Sequence, residues 1–145
     1  MTKLLIVDDM DVERLKAIRI ANHVGLEGAD QLLAKDLDEA LAIIRQEPVI
    51  DLAIVDIVLR GQESFDEDGL DVIAALRSRQ PRSMIIALTR QRDLPVGVRA
   101  MKMGANDFIA NWEKTDWEVL LENKLAIFKA LVEGRPVPSV PEPAW

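Results

Sequence analysis

The sequence contains no cysteine and only one histidine, and each shortage excludes a class of function. Without cysteine there is no disulfide framework, no thiolate metal site and no cysteine nucleophile. A single histidine, His23, cannot build a histidine-rich metal cage and argues against a serine–histidine–aspartate triad. Basic residues are in deficit as well, and the net charge of -7 argues against general affinity for nucleic acid or anionic membranes.

The chain also lacks a long apolar segment at its start. Only four apolar residues, 4–7, precede the first aspartates, which is too short for a signal peptide or a membrane-spanning helix. A chain of 145 residues, 49% of them hydrophobic, has the size of one domain that buries its own core. We therefore expect a soluble, cytoplasmic, single-domain protein with no membrane contact.

Short apolar runs alternate with helical patterns along the chain. Unbroken apolar runs are typical of strands buried on both faces. They occur at residues 4–7, 52–55 and 84–88, with weaker runs at 31–34 and 107–110. Apolar residues at helical spacing between the runs predict five helices. The alternation predicts an α/β fold, a doubly wound parallel sheet with helices on both faces, over residues 1–132. Residues 133–145 are rich in proline and predict an extended tail.

Polar residues follow the predicted strands at the edge where parallel sheets bind ligands. Asp8 and Asp9 follow the first strand, Asp56 ends the third and Thr89 ends the fourth. Three converging carboxylates repel one another unless a cation lies among them, and all-oxygen ligands favour Mg²⁺. A carboxylate beside such a cation can also act as a nucleophile toward phosphorus. The alternative is that these aspartates only cap the following helices.

These residues, in this order, resemble the receiver domain of bacterial two-component response regulators. The resemblance covers about residues 3–132 and is carried by Leu5-Ile6-Val7-Asp8-Asp9 with Arg14, Asp51-Leu52-Ala53-Ile54-Val55-Asp56, Ile85-Ile86-Ala87-Leu88-Thr89 and Met103-Gly104-Ala105-Asn106-Asp107-Phe108-Ile109. It implies a flavodoxin-like receiver with five helices and strand order 2-1-3-4-5.

The resemblance also implies roles for single residues. Asp56 would accept phosphate from a histidine kinase or a phosphotransfer protein. Asp9, Asp56 and the Val58 carbonyl would hold Mg²⁺, with Asp8 acting through water. Thr89 and Phe108 would form the switch pair, although Phe108 is equally compatible with a core aromatic. The protein would not be an enzyme beyond its own phosphorylation and dephosphorylation.

Three features depart from the family pattern. Asn111 and Trp112 stand where the family has lysine and proline, so the charge that ordinarily faces the phosphoryl group is missing. Arg90 stands where the family has a small residue. It replaces that charge, blocks the pocket, or is simply a solvent-facing loop arginine, an explanation that fits it about as well. The loop at 62–68 carries extra acidic residues, which are either solvated or add negative potential near the metal end.

The partner surface is expected on the fourth helix, fifth strand and fifth helix. Residues assigned to it are Arg99, Lys102, Trp112 and Trp117. Seven bases and a single acid lie between residues 77 and 102, which suggests an acidic protein partner more than nucleic acid, although ordinary solvated charge is the better single explanation. The same face could support a homodimer.

Three functions therefore compete. The first is a stand-alone phosphorylatable receiver, because the proline-rich tail is too short to form an output domain. The second is a degenerate receiver that acts as a phosphorylation-independent interaction module, favoured by Asn111, Arg90 and the long loop. The third is a haloacid-dehalogenase-like phosphatase, suggested by Asp9-Met10-Asp11-Val12 after a strand, which Glu13 and Asn111 fit poorly.

Overall fold

Strands and helices alternate along the chain. The computed structural model describes residues 2–59, 67–89, 94–110 and 116–137. In these stretches the strands are β1 (Leu4–Val7), β2 (Gln31–Ala34), β3 (Leu52–Asp56), β4 (Met84–Thr89) and β5 (Asp107–Ala110). The α-helices are α1 (Asp11–His23), α2 (Leu37–Gln46), α3 (Asp68–Arg79), α4 (Leu94–Met103) and α5 (Trp117–Glu133). The predicted alternation of five strands with five helices is confirmed.

The strands form one parallel sheet in the order β2-β1-β3-β4-β5, as predicted. The register of the strands determines which residues lie next to one another at the carboxyl edge of the sheet. Val7 of β1 is aligned with Val55 of β3, so the residues that follow them, Asp8 and Asp56, lie side by side. Asp56 is aligned in turn with Leu88 of β4, which places Thr89 one residue beyond.

The core has two layers, one on each face of the sheet. Alternate residues of a strand point to opposite faces. Leu5 and Val7 therefore pack under α2, α3 and α4, whereas Leu4 and Ile6 pack under α1 and α5. All four residues of β1 are buried, which explains why the strand is an unbroken apolar run in the sequence.

Capping interactions define the ends of two helices. The Asp36 carboxylate accepts a hydrogen bond of 2.8 Å from the Glu39 N–H at the start of α2, as its capping-box spacing predicts. At the end of α5, Gly134 adopts a left-handed conformation with φ of 67°. The Thr2 hydroxyl donates to the carboxylate of Glu133, the last residue of α5, at 2.5 Å. This hydrogen bond joins the amino-terminal segment to the last helix. Residues 138–145 of the predicted tail lie outside the described residues.

None of the described helices combines the length and the apolar character that crossing a bilayer requires.

The connection into β5 is held by a side-chain network. The Asn106 amide oxygen accepts from the Ile85 N–H at 2.7 Å, and the Asn106 N–H donates back to the Ile85 carbonyl at 2.7 Å. Arg77 of α3 donates to the same amide oxygen and to the Gly104 carbonyl, each at 2.8 Å. Partial burial lowers the pKa of Arg77, which nonetheless remains charged at neutral pH. Asn106 therefore extends the hydrogen-bonded ladder between β4 and β5 by one residue.

This network generates a stability prediction. Asn106→Ala removes the acceptor for the N–H of fully buried Ile85, so we expect a loss of about 1–3 kcal/mol in the free energy of unfolding. Asn106→Asp keeps an acceptor oxygen and faces Arg77, so its loss should be smaller. Chemical denaturation measures both variants, and equal losses would show that the acceptor is not what matters.

Candidate functional site

The turn from β1 into α1 is fixed by hydrogen bonds to Asp8. One carboxylate oxygen of Asp8 accepts from the Met10 N–H at 3.0 Å, and the Asp8 N–H donates to the Ala34 carbonyl of β2 at 3.1 Å. The Arg14 guanidinium donates to the Asp8 carbonyl at 2.9 Å and to the Asp11 carboxylate at 2.6 Å. Arg14 thus clamps the first turn of α1 beneath the site, a role that the sequence pattern did not specify.

Asp8, Asp9 and Asp56 converge at the carboxyl edge of the sheet. One carboxylate oxygen from each lies within 4.8 Å of the other two. Asp8 is only 3% exposed and Asp56 only 1%, whereas Asp9 is half-buried. Three carboxylates this close repel one another, and burial strengthens the repulsion because little water screens it. The donors are all oxygen, so the set fits a hard divalent cation such as Mg²⁺.

Capping does not explain these aspartates. The N-cap residue of α1 is Met10 and that of α3 is Glu67, and neither helix has a side-chain hydrogen bond at its cap. Asp56 is instead the last residue of β3, where one carboxylate oxygen accepts from the Val58 N–H at 3.4 Å. None of the three aspartates is therefore the N-cap of α1 or α3, and their carboxylates lie together at the edge of the sheet.

Thr89 lies at the end of β4, the strand next to Asp56, and Phe108 lies on β5, one strand further away. Thr89 ends β4 and is 3% exposed, next along the strand from Leu88, whose carbonyl accepts from the Ile57 N–H at 3.0 Å. Phe108 is aligned with Ala87 and is half-buried, with its ring against the α4 face of the core. The ring is thus neither a fully buried core aromatic nor an exposed one.

Gly69, in the first turn of α3, touches the backbone of the site. Its N–H donates to the Ile57 carbonyl at 2.8 Å. A Cβ atom at this position would stand 2.1 Å from the Asp56 carbonyl oxygen and 2.5 Å from the Ile57 Cα. Only glycine allows α3 to begin this close to the acidic strand end. In the sequence, only one feature indicated this contact: a glycine at the start of a helix, a position where glycine is otherwise unfavourable.

The expected partner surface is only partly present. Lys102 is exposed on α4, and Arg99 forms an ion pair with Glu67, the residue before α3. The expectation for Trp117 was wrong: it is 7% exposed and packs with Leu121 and Leu125 against the sheet. Positions 117, 121 and 125 share one face of α5, and that face points inward.

Other expectations fall on parts of the chain that the structure does not describe. Arg90, Asn111, Trp112 and residues 62–66 of the acidic loop lie outside the described residues. The basic segment is less of a free surface than its composition suggests, because Arg77 and Arg79 donate to backbone carbonyls.

This fold and acidic edge define a class of protein: the chain belongs to the response regulator receiver domain family, whose family model matches residues 4–116. A putative NtrX-like response regulator of Rickettsia felis is 33% identical over 118 residues, which are 81% of this chain but 23% of that relative. The chain thus spans about a quarter of the length of the NtrX-like relatives that it matches.

Solved structures agree with the assignment. The receiver domain of NtrX from Brucella abortus has a TM-score of 0.67 at 28% identity, covering 84% of this chain and 96% of that one. A response regulator from Burkholderia pseudomallei has a TM-score of 0.62 at 27% identity, covering 91% of this chain and 75% of that one, and carries a phosphorylated aspartic acid, a calcium ion and citrate. Receiver domains are signalling domains, and the family assignment gives the phosphatase alternative no support.

The close approach of Gly69 makes a prediction about the site. Gly69→Ala forces α3 away from β3, so we expect a loss of about 1–3 kcal/mol in stability, as for other overpacked positions. Because the shift acts on the Asp56 backbone, the variant should also bind Mg²⁺ more weakly, measured by titration of tryptophan fluorescence. Ser78→Ala, at an exposed position of the same helix, is the control. Unchanged Mg²⁺ affinity in a folded Gly69→Ala protein would contradict the prediction.

Proposed function

We propose that this chain is a phosphoacceptor signalling domain of a two-component phosphorelay, acting in the cytoplasm. Asp56 would accept a phosphoryl group in a Mg²⁺-dependent reaction, and the modification would switch protein–protein contacts. The observation that carries the proposal is the burial of Asp56 at the end of β3, within 4.8 Å of the carboxylate oxygens of Asp8 and Asp9.

The residues at the carboxyl edge of the sheet would have separate roles in cation binding and in phosphoryl transfer. Asp9, Asp56 and the carbonyl of Val58 would hold Mg²⁺, with Asp8 in contact through water. When bound, the cation would neutralise charge that develops on the transferred phosphoryl group. The hydroxyl of Thr89 would donate to a phosphoryl oxygen, since it lies on the strand next to Asp56.

The chemical step is transfer from a phosphorylated histidine of a kinase or phosphotransfer protein. A carboxylate oxygen of Asp56 attacks phosphorus, a P–O bond forms, and the P–N bond to the histidine breaks, leaving its imidazole to take up a proton. The phosphorylated aspartic acid and calcium ion of the Burkholderia pseudomallei structure support this chemistry on a related receiver.

The output surface is proposed on α4, β5 and α5. Several apolar side chains there are between 40% and 48% exposed, an arrangement that favours contact with a partner or a second copy. They are Val98 and Met101 on α4 and Val119 and Leu120 on α5. Arg99, Lys102 and Trp112 would add polar and aromatic contacts around this apolar patch. Trp117 is removed from the proposed surface because it is buried.

A second candidate is a phosphorylation-independent interaction module. The observation that favours it is Asn111, which replaces the charge that ordinarily faces the phosphoryl group. A neutral hydrogen bond in place of a charge-assisted one would weaken the response by about 1 kcal/mol or more. Such a domain would keep the apolar patch and lose the switch.

The first test is phosphorylation. Incubation with acetyl phosphate and Mg²⁺ should add one phosphoryl group, seen by intact-mass spectrometry, because Asp56 is the nucleophile. Asp56→Asn should abolish the adduct, and Asp51→Asn, a carboxylate at the other end of β3, serves as the matched control. An undiminished adduct on Asp56→Asn would reject Asp56 as the acceptor, and no adduct on the wild type would favour the interaction module.

The second test concerns the cation. Mg²⁺ relieves the repulsion among the three carboxylates, so it should raise the melting temperature. At ten times the dissociation constant the gain is about 1.4 kcal/mol. Differential scanning calorimetry in MgCl₂, against NaCl at matched ionic strength, measures the gain, and Asp9→Asn should reduce it. No rise beyond the salt control would count against a cation site.

A further inference from the structure

The edge of the Phe108 ring packs against a glycine of the neighbouring helix. Gly97 lies in α4 and is buried. A Cβ atom built on it would stand 2.5 to 2.7 Å from three consecutive ring atoms, Cδ2, Cε2 and Cζ. Carbon atoms that are not bonded pack at about 3.5–4.0 Å. The ring therefore occupies space that a glycine, and no other residue, leaves open.

The backbone gives no other reason for glycine at this position. The glycines with positive φ among the described residues are Gly25, Gly28, Gly104 and Gly134, so Gly97 has a conformation open to any residue. Glycine is also the least favourable residue after proline inside a helix. What distinguishes the position is the contact with the ring.

The ring shares a face of the sheet with Thr89. Phe108 is aligned with Ala87, and Thr89 follows Ala87 by two residues, so their side chains point to the same face. Thr89 lies at the strand end beside Asp56. In the proposed function, a movement of Thr89 toward a group on Asp56 would change the space on this face of the sheet, where Gly97 borders the ring.

We propose that Gly97 is a positioning residue of the switch. By carrying no side chain it holds open the slot in which the Phe108 ring packs, and so allows the ring position to respond to the state of Asp56. The second half of this statement rests on the proposed function. A side chain at position 97 would drive the ring out by rotation about χ1, because the clashing atoms are the movable end of a side chain.

The ring position can be tested without phosphorylation. In protein labelled with ¹³C at phenylalanine, Gly97→Ala should move the Phe108 ring resonances toward solvent-exposed values and leave those of Phe128 in place. Phe108→Leu assigns the signal. Ser78→Ala, at an exposed position of α3, is the control. Unmoved Phe108 resonances in the folded Gly97→Ala protein would overturn the proposal.

A double-mutant cycle tests the contact itself. In the wild-type background Gly97→Ala should lower the melting temperature, because the ring loses its packed position. In the Phe108→Ala background the same substitution should raise it, because only the better helix propensity of alanine remains. A change of the same sign and size in both backgrounds would show that residue 97 and the ring do not interact.

The link to the switch is tested with beryllofluoride and Mg²⁺, a phosphoryl mimic. Gly97→Ala should weaken mimic binding about fivefold or more, the lower range of coupling between two sites. Wild-type affinity in a variant whose ring has moved would overturn the coupling. A wild type that fails to bind the mimic would instead reject the proposed function, while the ring resonances and the cycle would still decide what Gly97 does.

Discussion

The electrostatic repulsion among Asp8, Asp9 and Asp56 is the constraint on which the rest of this structure depends. The parallel register of β1 and β3 forces Asp8 and Asp56 into adjacent positions, and both are almost completely buried. Like charges in a poorly hydrated place are unfavourable unless a cation or bonded group compensates them. The oxygen donors that this fold keeps together therefore fit a divalent cation such as Mg²⁺.

Close packing around the acidic edge makes it sensitive to its neighbours. Gly69 brings α3 against the backbone of Asp56, and Arg14 holds the turn that carries Asp8 and Asp9. On the far side of β4, Gly97 brings α4 against Phe108. Packed interiors have discrete rather than continuous arrangements. In the proposed function, a change of charge at Asp56 would be passed to α3 and α4 as a change of packing.

Family membership does not by itself describe this receiver. Membership is carried by the strand-end residues and by the order of the sheet, both of which the chain has. Asn111 and Arg90 depart from the family pattern in the sequence, and Gly97 adds a contact with Phe108 that this pattern does not specify. In the proposed function, the strength of the switch would depend on these three residues. A switch responds only if its residues make different contacts in its two states.

The sequence alone determined the architecture and the acidic cluster. Unbroken apolar runs such as residues 4–7 can be buried only in the middle of a two-sided sheet, and parallel strands bring their carboxyl ends to one edge, so Asp8, Asp9, Asp56 and Thr89 had to lie near one another. The order of the strands came from family resemblance rather than from the pattern, because alternation of strands and helices allows several orders.

Only the tertiary structure decided which side chains are exposed and which glycines are in contact. Trp117 looked like a surface aromatic because helical spacing shows a stripe without showing which element covers it, and α5 turns that stripe toward the sheet. The contacts of Gly69 with Asp56, of Gly97 with Phe108 and of Asn106 with Ile85 join residues that are far apart in the chain. Such contacts follow from the distance between packed elements, a quantity that depends on the whole core and that no local pattern of residues contains.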